Sequence, residues 1–154
     1  MTEKKIRINN KKRAKMNNEI YGKHLTLLIK NVEHIEKLNG ENEIKNFLAD
    51  LVKSINMRIL VNPVAGYESG DEAHAGYSGV VILYESHCAI HTYSKLRKVF
   101  IDIFSCKDYC VEDVLNFIKG KIGVFEIEEQ HIFNRGVHWG NDIKKEMNNW
   151  KGKR

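Results

Sequence analysis

The sequence predicts an α/β (α+β) fold: a two-layer sandwich in which an antiparallel sheet carries helices packed on one face. Three observations lead there. Apolar residues recur at period two, or in short β-rich runs, over six stretches, and at helical spacing over two. The strand-like stretches come in runs instead of alternating with helices, and residues 94–97 between two of them are hairpin length. A chain of 154 residues that is 42% hydrophobic suits one domain with one core.

Taken in order, the first element is a strand in "YGKHLTLLIKN", where Leu25, Leu27 and Ile29 alternate with other residues. "ENEIKNFLADLVKSI" follows, with Ile44, Phe47, Leu48, Leu51, Val52 and Ile55 at helical spacing behind Asn39 and Gly40. "MRILVN" (57–62) reads as a short strand stopped by Pro63, and residues 63–76 as a long loop with Gly66, Gly70 and Gly76. Three strands are expected next, at 78–85, 87–93 and 98–104. "VEDVLNFIKGKI" (111–122) predicts a second helix and "GVFEIEE" (123–129) a last strand. Residues 19–136 are thus expected to form the domain, between a basic flexible tail at 1–18 and a C-terminal tail at 137–154.

Charge and composition narrow the function classes. Residues 1–18 hold seven basic residues against Glu3, while the rest holds 18 basic and 19 acidic residues. The net charge of +5 therefore belongs to a tail, and a basic tail is usually only solvated. A nucleic-acid partner is not expected. No apolar run reaches the ~18–20 residues of a membrane span, and the N-terminus has no apolar signal region. Three cysteines (Cys88, Cys106, Cys110) make no disulfide framework. The expectation is a cytoplasmic protein without a membrane partner. No Gly-rich phosphate loop is present.

The chemistry concentrates in "LYESHCAIHTY" (83–93). Its residues admit three readings. His87 and His91 can be ordinary strand histidines sharing a face, with Cys88 buried on the other. They can join Cys88, Cys106 and Cys110 around a metal, although the cysteine spacing matches no zinc knuckle, and no metal is expected. Or a Ser–His or Cys–His pair can serve nucleophilic catalysis, for which no orienting acid or oxyanion hole is evident.

The wider block, Ser78-Gly79-Val80-Val81, Glu85-Ser86-His87, Ile90-His91-Thr92, Asp102 and Cys106, resembles the prokaryotic S-adenosylmethionine decarboxylases. "GKHL" (22–25) resembles a short element near that family's N-terminus. The resemblance covers roughly residues 21–125. It implies a proenzyme that cuts itself between Glu85 and Ser86 and converts Ser86 into a covalent pyruvoyl group, the only cofactor. The pyruvoyl ketone would take the substrate amine as a Schiff base and accept the electron pair left by carbon dioxide. By the same resemblance Ser78 and His91 assist processing, and Cys106 is the proton donor. It also implies a homodimer of processed αβ protomers with sites near the interface, acting in polyamine (spermidine) biosynthesis.

Three positions depart from the family pattern. Where the family has His-Thr-Trp-Pro-Glu, this chain has His91-Thr92-Tyr93-Ser94-Lys95. An acid expected after the Gly-x-His-Leu element is matched by Leu28, and an aromatic expected to stack on adenine is matched by Glu72, with Tyr77 or Tyr67 as substitutes. Substrate contacts are therefore assigned to Glu72 and Tyr93 only. S-adenosylmethionine leads as substrate. The alternative is a basic amino acid, ornithine or arginine, held by Glu68, Asp71 and Glu72. A reading of another class keeps the fold without the enzyme: a relative that binds nucleic acid or an acidic partner through its tail.

Overall fold

A computed structural model describes residues 20–136 and, isolated beyond them, residue 149. The two expected tails at 1–18 and 137–154 otherwise lie outside the described residues.

The chain runs β1 (Gly22–Lys30), a 3₁₀ turn (Ile35–Leu38), α1 (Glu41–Ser54), β2 (Ile59–Glu68), β3 (Gly76–Leu83), β4 (Ser86–Tyr93), β5 (Lys98–Ser105), α2 (Val111–Ile122) and β6 (Glu126–Arg135). The six strands form one sheet in the order β2-β3-β4-β5-β1-β6, antiparallel throughout. This is the two-layer α+β sandwich that the periodicity predicts.

Alternation along the strands divides the two sheet faces. Leu25, Leu27 and Ile29 of β1, Val81 and Leu83 of β3, Cys88 and Ile90 of β4, and Val99, Ile101 and Ile103 of β5 are buried. They meet Ile44, Leu48, Leu51 and Val52 of α1 and Val114, Ile118 and Ile122 of α2 in one core. Each fully buried aliphatic side chain contributes about 1.5–3 kcal/mol by leaving water. Gly79 lets α1 lie close on β3, because a Cβ there would stand 2.5 Å from Ile44 Cγ2. The glycine of the Ser78-Gly79 pair therefore serves packing.

Among the described residues, no helix lies over the other sheet face. Its rows follow from the register: Ile82, His87, Phe104, His24 and Phe133 form one row; Val80, Ala89, Asp102, Thr26 and His131 the next; Ser78, His91, Phe100, Leu28 and Glu129 the third. Val61, Val64, Ile82, Phe100 and Phe133 are exposed.

Three elements have boundaries that differ from expectation. Pro63 does not stop its strand; β2 continues to Glu68, which shortens the loop to residues 69–75. β2 is a sheet edge, where a missing N–H leaves no ladder bond unmade, and its register shifts around Val61 and Val64. The expected strand 78–85 starts at Gly76 and stops at Leu83, so Tyr84 and Glu85 become the turn of a hairpin into β4. β6 starts later and runs to Arg135, exposed at every position, at the opposite edge.

Candidate active site

The β3–β4 hairpin has an unusual turn. Two-residue hairpin loops ordinarily place one or both central residues at positive φ, which favours Asn and Gly. Tyr84 and Glu85 do neither; the positive φ falls on the next residue, Ser86, at +143°. A non-glycine residue held there stores roughly 1–3 kcal/mol of strain. The strain sits on the amino side of Ser86, in the peptide that joins it to Glu85.

That peptide is held from two directions. The Cys106 N–H donates to the Glu85 carbonyl oxygen at 2.9 Å. The Glu85 side chain, only 7% exposed, accepts from the Arg58 N–H and from Arg58 Nε, each at 3.0 Å. Cys106 stands just beyond β5, and the pairing of Ser86 with Ser105 brings it beside the turn. Tyr21 shares a hydrogen bond with the Cys106 side chain; burial first, and then Cys106, push the Tyr21 hydroxyl pKa up.

Ser78 and His91 face each other across the β3–β4 register, with Ser78 Oγ 2.8 Å from His91 Nδ1. The hydroxyl donates whenever that nitrogen carries the lone pair. This pair is not beside Ser86. His91 lies five residues along β4, which at the usual strand rise is roughly 16 Å away. The four residues assigned from the sequence therefore fall into two groups within a chain: Ser86 with Cys106 at one end of the hairpin, Ser78 with His91 at the other.

Between the two ends lies a cluster centred on Asp102. His24 Nε2 is 2.7 Å from Asp102 Oδ2, and His87 Nε2 is 3.2 Å from Asp102 Oδ1. These donor atoms lie within 4.8 Å of one another, close enough to suggest a cation site. Arg135 argues against it. Its guanidinium is 3.4 Å from His24 Nδ1, which makes that nitrogen the acceptor and leaves Nε2–H to donate to Asp102. The lone pair a metal needs at Nε2 is then absent. The cysteines take no part: Cys88 is buried on the helix side, and the set His87, His91, Cys88, Cys106 and Cys110 is not brought together.

A depression of about 420 Å³ opens on the uncovered face, lined among others by Leu28, His91, Tyr93, Phe100, Asp102 and Glu129. Among the described residues its lining contains two carboxylates and no lysine or arginine. Tyr93 packs edge-on against both Phe100 and His74. Glu72, an exposed side chain, is ion-paired with Lys95. Glu68 accepts from the Gly70 N–H, and Asp71 accepts from the Ala73 and His74 N–H groups and pairs with the His74 ring. The three loop acids are thus engaged with their own loop and with Lys95.

Two site neighbours were not legible in the sequence. Arg58 lies 27 residues from Glu85, and no local pattern links them. His24 reads as a packed or hydrogen-bonded histidine; its place beside Asp102 required the β1–β5 register.

Comparison with known proteins bears on these residues. A family model for S-adenosylmethionine decarboxylase matches residues 23–136. A protein of Methanococcus maripaludis named S-adenosylmethionine decarboxylase proenzyme is 28% identical over 130 residues, covering 80% of this chain and 97% of that one. A proenzyme of the same name from Thermodesulfovibrio yellowstonii is 35% identical over 85 residues, 55% of this chain and 58% of its own. The crystal structure of the adenosylmethionine decarboxylase of Aquifex aeolicus shares the fold, with a TM-score of 0.61 at 23% identity, over 76% of this chain and 92% of that one.

Proposed function

The chain belongs to the S-adenosylmethionine decarboxylase family, and we propose that it is a self-cleaving proenzyme whose Ser86 becomes the pyruvoyl group of a decarboxylase. The observation that carries this reading is the Glu85–Ser86 peptide itself. It is strained at Ser86, and its carbonyl rests on a main-chain donor.

The processing chemistry follows from those groups. The Ser86 Oγ adds to the Glu85 carbonyl carbon, and the Cys106 N–H, already at 2.9 Å, stabilises the developing oxyanion. The carbon–nitrogen bond breaks, leaving an ester and a free amine, and the constraint on φ of Ser86 is relieved. A base then removes the Ser86 Cα proton, the Cβ–O bond breaks, and Glu85 leaves as a carboxylate. Water replaces the nitrogen of the resulting enamine, and ammonia departs. The products are chains of 85 and 69 residues, the second beginning with a ketone.

A pyruvoyl group supplies an electron sink for loss of carbon dioxide from an amino-acid substrate. The fit to this chain is that Ser86 has both the preceding carbonyl and a thiol-bearing residue beside it. In the decarboxylase, Cys106 delivers the proton that replaces carbon dioxide, and Asp102 and Glu129 in the depression suit a cationic substrate.

The base for processing is His91, held by Ser78, and the roughly 16 Å between His91 and Ser86 bears on oligomeric state. Stacking two uncovered sheet faces about a two-fold axis sets the Ser86 end of one sheet over the Ser78–His91 end of its partner. The exposed Val61, Val64, Ile82, Phe100 and Phe133 favour burying this face. We therefore assign a homodimer with composite sites.

S-adenosylmethionine is the substrate by family. A second reading, a basic amino acid such as ornithine or arginine, is favoured by Leu28 in the depression and by Lys95 standing where the family pattern has a glutamate. Lys95 cannot accept hydrogen bonds from a ribose. Carbon dioxide release from labelled S-adenosylmethionine, ornithine and arginine decides between them. A denaturing gel tests the whole reading: two fragments are expected, and one intact chain when Ser86 is alanine. An uncut wild-type chain would favour a non-enzymatic relative instead.

Among the described residues no helix is long and apolar enough to cross a membrane.

A further inference from the structure

Strain at a scissile peptide persists only when its surroundings fix the flanking groups more firmly than the strain can move them. On the carboxyl side of the turn, that restraint comes largely from one residue. Arg58, the residue before β2, donates its N–H to Glu85 Oε2 and its Nε–H to Glu85 Oε1, both at 3.0 Å. Its carbonyl accepts from the Tyr84 N–H at 3.0 Å. Its guanidinium lies over the Tyr84 ring, 4.7 Å from the centroid. Both turn residues are thus tied to Arg58, and the strand it begins is itself paired to β3 through Ile59 and Leu83.

The arrangement is asymmetric. The Glu85 side chain is 7% exposed and the Arg58 side chain 69%. A carboxylate that deep in a turn stays there only while it is paired; left without its partner, it gains by swinging into water. That response loosens the residue whose carbonyl must remain on the Cys106 N–H.

We propose that Arg58 is a positioning residue for self-cleavage, clamping Glu85 so that the strained Glu85–Ser86 peptide is presented to the Ser86 hydroxyl and the Cys106 N–H. The inference rests on the self-cleavage reading above. Arg58 touches none of the reacting atoms. Its effect is transmitted through the Glu85 carboxylate and the Tyr84 ring and N–H.

The test is the rate of chain splitting, followed on gels after pulse-labelled cell-free synthesis of the full chain. Arg58→Ala splits about tenfold more slowly or worse, the order expected from loss of a hydrogen bond to a charged group. Arg58→Lys, which keeps the charge, recovers much of the rate. Glu85→Gln slows splitting as well, and the double variant Arg58→Ala/Glu85→Gln is no slower than the slower single variant, because both remove one clamp. If the alanine variant fails to melt cooperatively, Arg58→Met, which keeps an apolar stem against Tyr84, is judged by the same criteria. Splitting at the wild-type rate in a folded Arg58 variant overturns the proposal. So do multiplicative effects in the double variant. A wild-type chain that never splits overturns the self-cleavage reading first, and is recognisably a different failure.

Discussion

A mixing experiment isolates the geometry of the composite site. His91→Ala removes the proposed base but keeps Ser86; Ser86→Ala removes the nucleophile but keeps His91. Within a chain the two positions are five strand residues apart, roughly 16 Å, against the ~3 Å at which a base takes a proton. No rotamer of either side chain spans that gap, so His91 can serve as the base for Ser86 only from a second copy. Each variant alone is expected to stay whole. When the two are co-expressed in equal amounts and pair at random in two-fold dimers, about half the dimers are hybrids, each with one complete site and one doubly defective site. About half of the His91→Ala chains should then split, and no Ser86→Ala chain should. Affinity tags of different size on the two chains make this readable on one gel. Cleavage absent from hybrids that demonstrably form would refute the composite site. Cleavage of His91→Ala chains on their own would refute the role of His91.

Further outcomes follow from single residues. Cys106→Ala should still split, because its part in cleavage is played by a main-chain N–H. Decarboxylation by the split product should fall by about 10²–10⁴-fold, the usual contribution of a positioned acid. Cys88 is fully buried, and burial, with a smaller push from Asp102, raises its thiol pKa far above the usual range. In the folded protein an alkylating reagent should therefore leave Cys88 unlabelled while it modifies more accessible thiols, as peptide mass mapping would show. Asp71 has its pKa lowered, chiefly by the hydrogen bond to the His74 side chain. A folded pKa below the unfolded value means that the pairing supports the loop above the ordinary carboxylate range. That support is lost as pH falls through the depressed value. The Asp71 carboxyl NMR shift should follow that lowered transition, and His74→Ala should move the transition back up.

Much of the fold could be read from periodicity because each of the four inner strands, β1, β3, β4 and β5, has one buried face. β1 shows this most clearly, with Leu25, Leu27 and Ile29 marking the side that meets α1 and α2. The errors arose where local signals are overruled by position in the sheet. Pro63 signals an end to a strand, but at an edge its missing N–H costs nothing. Tyr84 and Glu85 read as strand because neither is a usual turn residue; the turn exists because Arg58 and Cys106 hold it from elsewhere in the chain. The separation of Ser86 from His91 was countable in the sequence, whereas the partnership of Arg58 with Glu85 was not. Glu72 illustrates the reverse case. It reads as a candidate substrate contact, and in the structure it is ion-paired with Lys95 at an exposed position, a pairing set by the loop and not by either residue's neighbours.

The central claim is that this polypeptide opens its own backbone at Glu85–Ser86. Intact-mass measurement on freshly made protein tests it most directly. The account predicts two chains: residues 1–85 at their encoded mass, and residues 86–154 lighter than encoded by one ammonia and reactive toward hydrazine. A single chain at the full encoded mass, without a reactive carbonyl, would contradict it.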